Sequence, residues 1–399
     1  MKNEFELTTE QLIEIANDLD AKIYRGLTVN GTEIKCIPTY VKPCKNALEG
    51  EAVAFDLGGT NFRAAKVRIG EHTDVLEDFK KNFEHMKEPR YTREDLFEDI
   101  SNVADKLDIA DNASIGYCFS YPSESTMNGD AELIEWTKGV NIDGMIGKPI
   151  GQTLLDYLNE KNPKRYSKVV VINDTIATLF AGLSTPHKDA YIGLIVGTGT
   201  NMATIYPSSH ISKIKNVKSW KGETPVNLES GNFNPPHLTK YDNAVDAKSE
   251  KPGAQRFEKA ISGMYIGRVF LEVFPEAGFE PTLSGKDLNF IINNPTEYTS
   301  EQVEVAYQIN VRSAKLVAAS IAGLVSNLAK VNANTRNIML LAEGTMFWSK
   351  AVYKDFDYKS VVHDTLRTIL RGMGYEDINV DIPLTSNANL IGSAVAVLS

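Results

Sequence analysis

Two stretches of this chain repeat one local plan, and that plan limits the folds open to it. Asp56-Leu57-Gly58-Gly59-Thr60-Asn61-Phe62-Arg63 follows the apolar run Ala52 to Phe55 and precedes Ala64 to Ile69. Val196-Gly197-Thr198-Gly199-Thr200-Asn201 follows the apolar strand that begins at Tyr191 and precedes Met202 to Tyr206. Strand, tight Gly/Thr turn, strand is the reading of both. Glycines in such a turn let backbone N–H groups approach an anion with no Cβ in the way. Thr60 and Asn61 add short polar contacts, and Arg63 adds a charged fork. Asp56, at the end of its strand, could hold a hydrated Mg²⁺. One such hairpin is commonplace. A pair predicts two halves of a duplicated architecture, each gripping one side of a polyphosphate.

Composition narrows the partners. The chain has 399 residues, enough for two domains with cores of their own. Its formal net charge of −10 argues against a nucleic-acid surface, which needs basic patches. An acidic protein that binds an anionic nucleotide must do so locally, with aimed N–H groups, a metal and a few cations. Three cysteines (Cys36, Cys44, Cys118) make no disulfide framework, and the six histidines show no zinc spacing. A reducing cytoplasm is therefore expected. The opening Met1 to Glu6 shows no basic leader followed by an apolar core. The apolar stretch Leu316 to Val325 is too short to span a bilayer, so no membrane partner is expected.

Along the chain, Thr8 and Gln11 at capping-box spacing predict a helix. Residues 36–51 read as a connector, with strands around 51–56, 62–69 and 73–78. Thr92 with Asp95 opens a helix whose Leu96, Ile100, Val103 and Leu107 keep helical spacing. Strands at 113–119 and 169–172 and a short helix at 154–158 follow. A helix from Thr175 precedes the second hairpin. Residues 207–250 read as loop-rich and polar. A helix is expected around 254–272, a long one from Thr299 to about Lys330, a strand at 338–341 and a closing helix at 390–398. Strands and helices alternate, which argues α/β.

Several positions offer chemistry. Asn173-Asp174-Thr175 ends an apolar strand and begins a helix, and ligands gather at carboxyl ends of strands. Asp174 there could take a proton from a substrate hydroxyl, although Asn/Asp helix caps are common. Ser120, in Phe119-Ser120-Tyr121-Pro122, also follows a strand. Trp136-Thr137-Lys138-Gly139 offers a hydroxyl and an ammonium, and Lys138 could contact a transition state. Asn227-Leu228-Glu229-Ser230-Gly231, Gln255 and Glu258 carry carboxylates and amides of the kind that bind sugar hydroxyls. Taken singly, each also reads as an ordinary loop or surface residue.

In order and spacing these segments resemble the hexokinase family of the actin-like, sugar-kinase superfamily. The resemblance runs through both hairpins, 119–122, 136–139 and 173–175, and extends through Tyr241-Asp242, Val245-Asp246, 252–259 and Ile261-Ser262-Gly263-Met264-Tyr265. It covers about half the chain, from 52 to 267. It implies an α/β fold of two actin-like ATPase (ribonuclease H-like) lobes around an interlobe cleft. The small lobe would be 50–173 plus 386–399, and the large lobe 1–49 plus 174–385. It implies ATP-dependent phosphorylation of a hexose, with glucose foremost, at the 6-hydroxyl. Asp174 matches the family's catalytic base, with Lys138 and Arg63 balancing charge. Ser120, Thr137, Lys138, Asn173, Asn201, Glu229, Gln255 and Glu258 match its sugar contacts. Gly58, Gly59, Thr60, Asn61 and Arg63 match the first phosphate loop, and Gly197, Thr198, Gly199 and Thr200 the second. Glu343-Gly344-Thr345 looks like its adenosine-side segment, making Gly344 and Thr345 nucleotide contacts.

Three departures stand out. The family's Thr-Glu-Trp-Gly is Leu228-Glu229-Ser230-Gly231 here, which puts the sugar preference in question. Its C-terminal Ser-Gly-x-Gly-Lys-Gly is replaced by Ser386-Asn387-Ala388-Asn389-Leu390-Ile391-Gly392, which bears on the nucleotide. The zinc-binding cysteine cluster of the other broad glucokinase group is missing, which favours the hexokinase branch. Two readings stand beside this one: a non-catalytic sugar sensor on the same scaffold, and an actin-like ATPase without a sugar pocket. Oligomeric state is not legible.

Overall fold

The computed structural model describes residues 4–399 except Pro186 and Lys218. The opening Met1 to Asn3, where no leader was read, lies outside the described residues, as does Lys218 in the 207–250 stretch. Helix α1 (Thr9–Thr28) starts at the Thr8/Gln11 capping box, and the two-residue β1 (Ile37–Pro38) follows. The first sheet is built from β2 (Gly50–Leu57), β3 (Asn61–Ile69), β4 (Asp74–Asn82), β5 (Ala113–Phe119) and β8 (Tyr166–Ile172), in the order β4-β3-β2-β5-β8. Helices α2 (Arg93–Ala104) and α3 (Ile150–Lys161) contribute to the core on one face, and a ribbon of β6 (Ser123–Ser125) and β7 (Ala131–Leu133) lies beside them. Phe55, Phe62, Phe83, Tyr117 and Phe119 form that core, with ring centroids 5.3–6.0 Å apart between successive contacts.

After α4 (Asp174–Leu183) the second sheet is assembled from β9 (Ala190–Val196), β10 (Thr200–Pro207), β11 (Glu223–Asn227), β12 (Asn337–Glu343) and, past the ribbon β13 (Lys350–Ala351) and β14 (Phe356–Asp357), β15 (Asn379–Asp381). Its order is β1-β11-β10-β9-β12-β15. Helices α5 (Lys240–Ala247), α6 (Arg256–Ile261), α7 (Ile266–Val273), α8 (Gly285–Asn293), α9 (Ser300–Val331) and α10 (Tyr358–Gly372) pack with α1 on its outer side. Helix α9 is long and apolar enough to cross a membrane by length and composition, and exceeds the Leu316 to Val325 stretch read from sequence. In the fold 78% of its apolar window is buried, against α1, α8 and α10.

A third core lies between the sheets. Helix α4 packs on β9 and β12, the closing helix α11 (Ala388–Leu398) packs on β2 and β5, and the two helices pack on each other. They approach closely enough that a Cβ on Gly392 would sit 1.7 Å from the Ala177 carbonyl oxygen. Leu390, Val395 and Val397 are fully buried there, each contributing about 1.5–3 kcal/mol of hydrophobic stabilisation.

Two stretches depart from the sequence reading. The 207–250 region is less irregular than its polarity suggests: it holds β11, paired on both edges, and α5, capped by Thr239 and Asp242. The helix expected over 254–272 is two helices. Between them Ser262 turns extended, and the N–H groups of Gly263 and Met264 donate to the carbonyls of Gly197 (2.7 Å) and Thr198 (3.2 Å). The chain leaves its helix to brace the second glycine turn.

Candidate active site

Both turns sit where their sheets place them. The β2–β3 hairpin pairs Leu57 with Phe62 and Asp56 with Arg63, leaving Gly58, Gly59 and Thr60 to make the turn. Gly58 N–H donates to Asn61 O (3.0 Å), Phe83 N–H to Thr60 O (2.8 Å), and the Tyr121 hydroxyl to Gly58 O (3.2 Å). Asn61 Nδ2 donates to Thr60 Oγ1. The β9–β10 hairpin pairs Val196 with Thr200. It closes through Gly197 N–H to Gly199 O (2.9 Å). A Cβ built on Gly197 would lie 3.2 Å from the Gly344 Cα and 3.8 Å from the Thr345 nitrogen. The segment after β12 therefore lies against the second turn, next to Thr198.

Asp56 alternates with the apolar Phe55 and Leu57, so its side chain leaves the aromatic core and faces the layer shared by α4 and α11. It pairs in register with Cys118 on β5. Burial pushes its carboxyl up; the Asp174 charge adds to this, while hydrogen bonds from Cys118 and Asn389 and the Arg63 charge oppose it. Asp174 is the first residue of α4, following β8, with Asn173 as the cap: Asn173 Oδ1 accepts Thr175 N–H at 2.9 Å. Asp174 Oδ1 accepts the same N–H at 2.7 Å. The cap reading and the carboxylate at the strand's end thus coexist. Arg63 does not stand free: its fork is bonded to Asp78 on β4, and its Nη2 also donates to Asn387 Oδ1 at 2.8 Å.

Across from the first turn, Lys138 adopts a positive φ and donates from Nζ to Ser120 O (2.7 Å), with its ammonium 5.1 Å from the Tyr121 ring centroid. Ser120 N–H donates in turn to Leu57 O. These contacts place Ser120 and Lys138 beside the first turn.

Glu229, with φ 55°, ends β11's extension, and its Oε1 accepts from Asn227 Nδ2 at 2.8 Å. Asn201 Nδ2 donates to Asn227 Oδ1 (2.7 Å), and Asn201 Oδ1 accepts Ser230 N–H (3.1 Å). Glu258 on α6 accepts Thr200 N–H at 3.0 Å. Burial pushes the carboxyls of both glutamates up. Asp174 adds to the shift at Glu229, with Asn227 and Lys35 opposing; Glu229 adds to it at Glu258, with Thr200 N–H and Lys138 opposing. Five of the candidate residues, Asp56, Asp174, Glu229, Glu258 and Lys138, are therefore joined in one chain of electrostatic coupling. Gln255, in the left-handed region just before α6, and Thr137 form no side-chain hydrogen bond to another described residue.

Sequence reasoning missed Asn227, which links Asn201 to Glu229; it lay inside a segment singled out for its glutamate, and its polar side chain at a strand's end was the available signal. It also missed Cys118, the register partner of Asp56 on β5, and Lys35, whose backbone neighbour Cys36 donates its N–H to Leu228 O. Glu343, read only as part of a segment, accepts Ala388 N–H at 3.0 Å, and burial pushes its carboxyl up. Nothing in the spacing of these residues announces those contacts.

Comparison with known proteins accords with this geometry. Family models described as hexokinase match residues 1–183 and 191–300. Hexokinase-2 of Solanum tuberosum is 31% identical over 376 residues, covering 80% of this chain and 75% of its own. A Schistosoma mansoni hexokinase complexed with glucose superposes with a TM-score of 0.75 at 23% identity, over 99% of this chain and 96% of that one. A second hexokinase crystal structure gives 0.82 at 21%, over 99% and 97%. The two-lobed actin-like ATPase fold is shared with these structures. ATP is the co-substrate of the family whose models match, and the chain belongs to the hexokinase family of sugar kinases.

Proposed function

We propose that this sugar kinase transfers the γ-phosphoryl group of Mg·ATP to the 6-hydroxyl of a hexose, with glucose the preferred substrate. The observation that carries the proposal is the position of Asp174 at the start of α4, just past the carboxyl end of β8, where its charge adds to the upward shift of both Asp56 and Glu229. A carboxylate in that place faces both reactants. The proposed lobes are 50–173 with 386–399, and 1–49 with 174–385, meeting at the α4–α11 layer.

In this reading the two turns hold the polyphosphate with backbone N–H groups, and Lys138 faces the charge that develops on the transferred group. Asp174 orients the sugar hydroxyl and accepts its proton as the new O–P bond forms and the bond to ADP breaks. Asn201, Glu229 and Glu258 hold the ring. An unpaired buried polar group costs about 1–3 kcal/mol, so an epimer that misplaces one hydroxyl loses affinity. Asp56 fits a hydrated Mg²⁺: it offers hard oxygen donors near the carboxyl end of β2, and Asp174 crowds it with like charge that a cation relieves. An ion of this kind is held by one or two carboxylates and substrate phosphates, not by an all-protein cage. When bound, Mg²⁺ supplies charge neutralisation on those phosphates.

The test is a panel of glucose, mannose, fructose and glucosamine with Mg·ATP, comparing kcat/KM in an assay for the sugar phosphate. The proposal expects glucose to lead. Turnover of ATP that ignores every sugar would overturn it.

A further inference from the structure

Tyr121 lies two residues past the end of β5 and is buried. Its ring meets Trp136 edge to face, with centroids 4.8 Å apart, and tilts against Phe119 at 5.2 Å. Two parts of the candidate site rest on it. Its hydroxyl donates to Gly58 O at 3.2 Å, inside the first turn. Its face lies 5.1 Å from the Lys138 ammonium, which also donates to Ser120 O at 2.7 Å. Burial pushes the phenol up to about 12, so it stays a donor through the neutral range. Gly58 and Gly59 share a trans peptide, in which C=O and N–H point opposite ways. A Gly58 carbonyl held toward Tyr121 therefore turns the Gly59 N–H away from the aromatic core. Gly58 N–H is committed to Asn61 O at 3.0 Å, whereas Gly59 N–H has no acceptor among the described residues. Between two glycines, neither with a Cβ, that peptide plane rotates easily unless something anchors it.

We propose that Tyr121 is a positioning residue for the nucleotide: its hydroxyl aims the Gly59 N–H at a phosphate oxygen, and its ring keeps the Lys138 ammonium beside the same turn. The inference rests on the reading of the first turn and of Lys138 given above. A tyrosine suits both tasks. Phenylalanine would supply the ring without the donor, and serine a donor without the ring. Because Trp136 and Phe119 fix the ring, the hydroxyl is held in place before any ligand arrives. Little ordering is then left to be done when the phosphates bind. One side chain thus sets a backbone donor and a cation relative to the same phosphates.

The experiment measures Mg·ADP affinity of the full chain by calorimetry, with sugar affinity as the check on folding. Tyr121→Phe deletes the hydroxyl alone. It should weaken ADP about fivefold, the loss of one neutral hydrogen bond, and leave sugar affinity as it was. Tyr121→Leu should weaken ADP at least as much. Its kcat for sugar phosphorylation should also fall about two- to fivefold below that of the phenylalanine variant, because only leucine removes the ring beneath Lys138. Should the leucine variant fail to bind sugar, Tyr121→Met is read in its place. Unchanged ADP affinity in Tyr121→Phe, or sugar affinity lost in step with it, would overturn the aiming of Gly59. Equal kcat in the two variants would overturn the hold on Lys138. Wild-type ATP turnover that no sugar stimulates would sink the reading of function and leave the ADP comparison standing.

Discussion

The two glycine turns share a local plan and differ in what lies over them. A Cβ on Gly59, in the first turn, would meet the Lys138 side chain 2.8 Å away. A Cβ on Gly199, in the second, would meet Glu258 Oε2 at 2.6 Å, the same oxygen that takes the Thr200 N–H. One turn is roofed by the aliphatic stem of a lysine, the other by a carboxylate oxygen. The first has a movable side chain over it whose ammonium is turned to the Ser120 carbonyl. The second has one donor already committed to a residue of the polar cluster, and so links the nucleotide side to the sugar side. A repeated string of residues need not mean a repeated job.

The largest test of this division is Asp174, which stands between the turns. Asp174→Ala should lower kcat by about 10²–10⁴-fold while calorimetry still detects sugar and nucleotide binding. Near-normal turnover would remove the centre of the comparison. Next is Gly199→Ala. Its Cβ displaces Glu258 from the Thr200 N–H, and loss of a hydrogen bond to a charged group corresponds to about a 10–100-fold rise in the sugar KM. Gly59→Ala should do less, because the Lys138 chain can move aside. About a two- to threefold change in the nucleotide KM, with the sugar KM constant, is expected. Steady-state kinetics on both variants decide the point: if both move the same substrate's KM, the turns are not specialised.

A further test turns on pH. Burial raises the carboxyls of Glu229 and Glu258, and hydroxyls donating to them favour the charged form and draw those values down. Sugar binding then releases protons. Affinity should rise with pH from just above the usual carboxylate range until both groups are ionised, by at most about tenfold per pH unit for each group. Calorimetry in buffers of different ionisation enthalpy counts the protons. Proton release missing from a Glu258→Gln variant would assign the titration to the carboxylate over the second turn; release unchanged in that variant would assign it to Glu229.

What sequence disclosed of this molecule follows from how local each signal is. The capping boxes at Thr8, Thr92 and Thr299 need only four residues, and all three start helices in the structure. Both glycine turns are equally local. The break between α6 and α7 was invisible because its cause, Gly197, lies more than sixty residues away in the chain. Helices α8 and α10 and the edge strand β15 were not read; β15 has three residues and shows no pattern, whereas α10 carries an overlooked helical stripe in Tyr358, Val362, Leu366, Ile369 and Leu370. In the site, residue types were legible and partners were not. Arg63 is a fork in any reading, but only the fold shows that Asp78 and Asn387 occupy it.

Helix α11 fills the space between both sheets, yet it follows every other described element along the chain. More than 380 residues of this sequence precede the wedge that unites them. Until then the inner faces of β2 and β5 and the flank of α4, all apolar, have no permanent cover. Nascent chains of this protein thus spend most of their translation with sticky surface in the open, a stage at which aggregation competes with completion. A chain interrupted before Ala388 should for the same reason bind a hydrophobic dye that the full sequence does not.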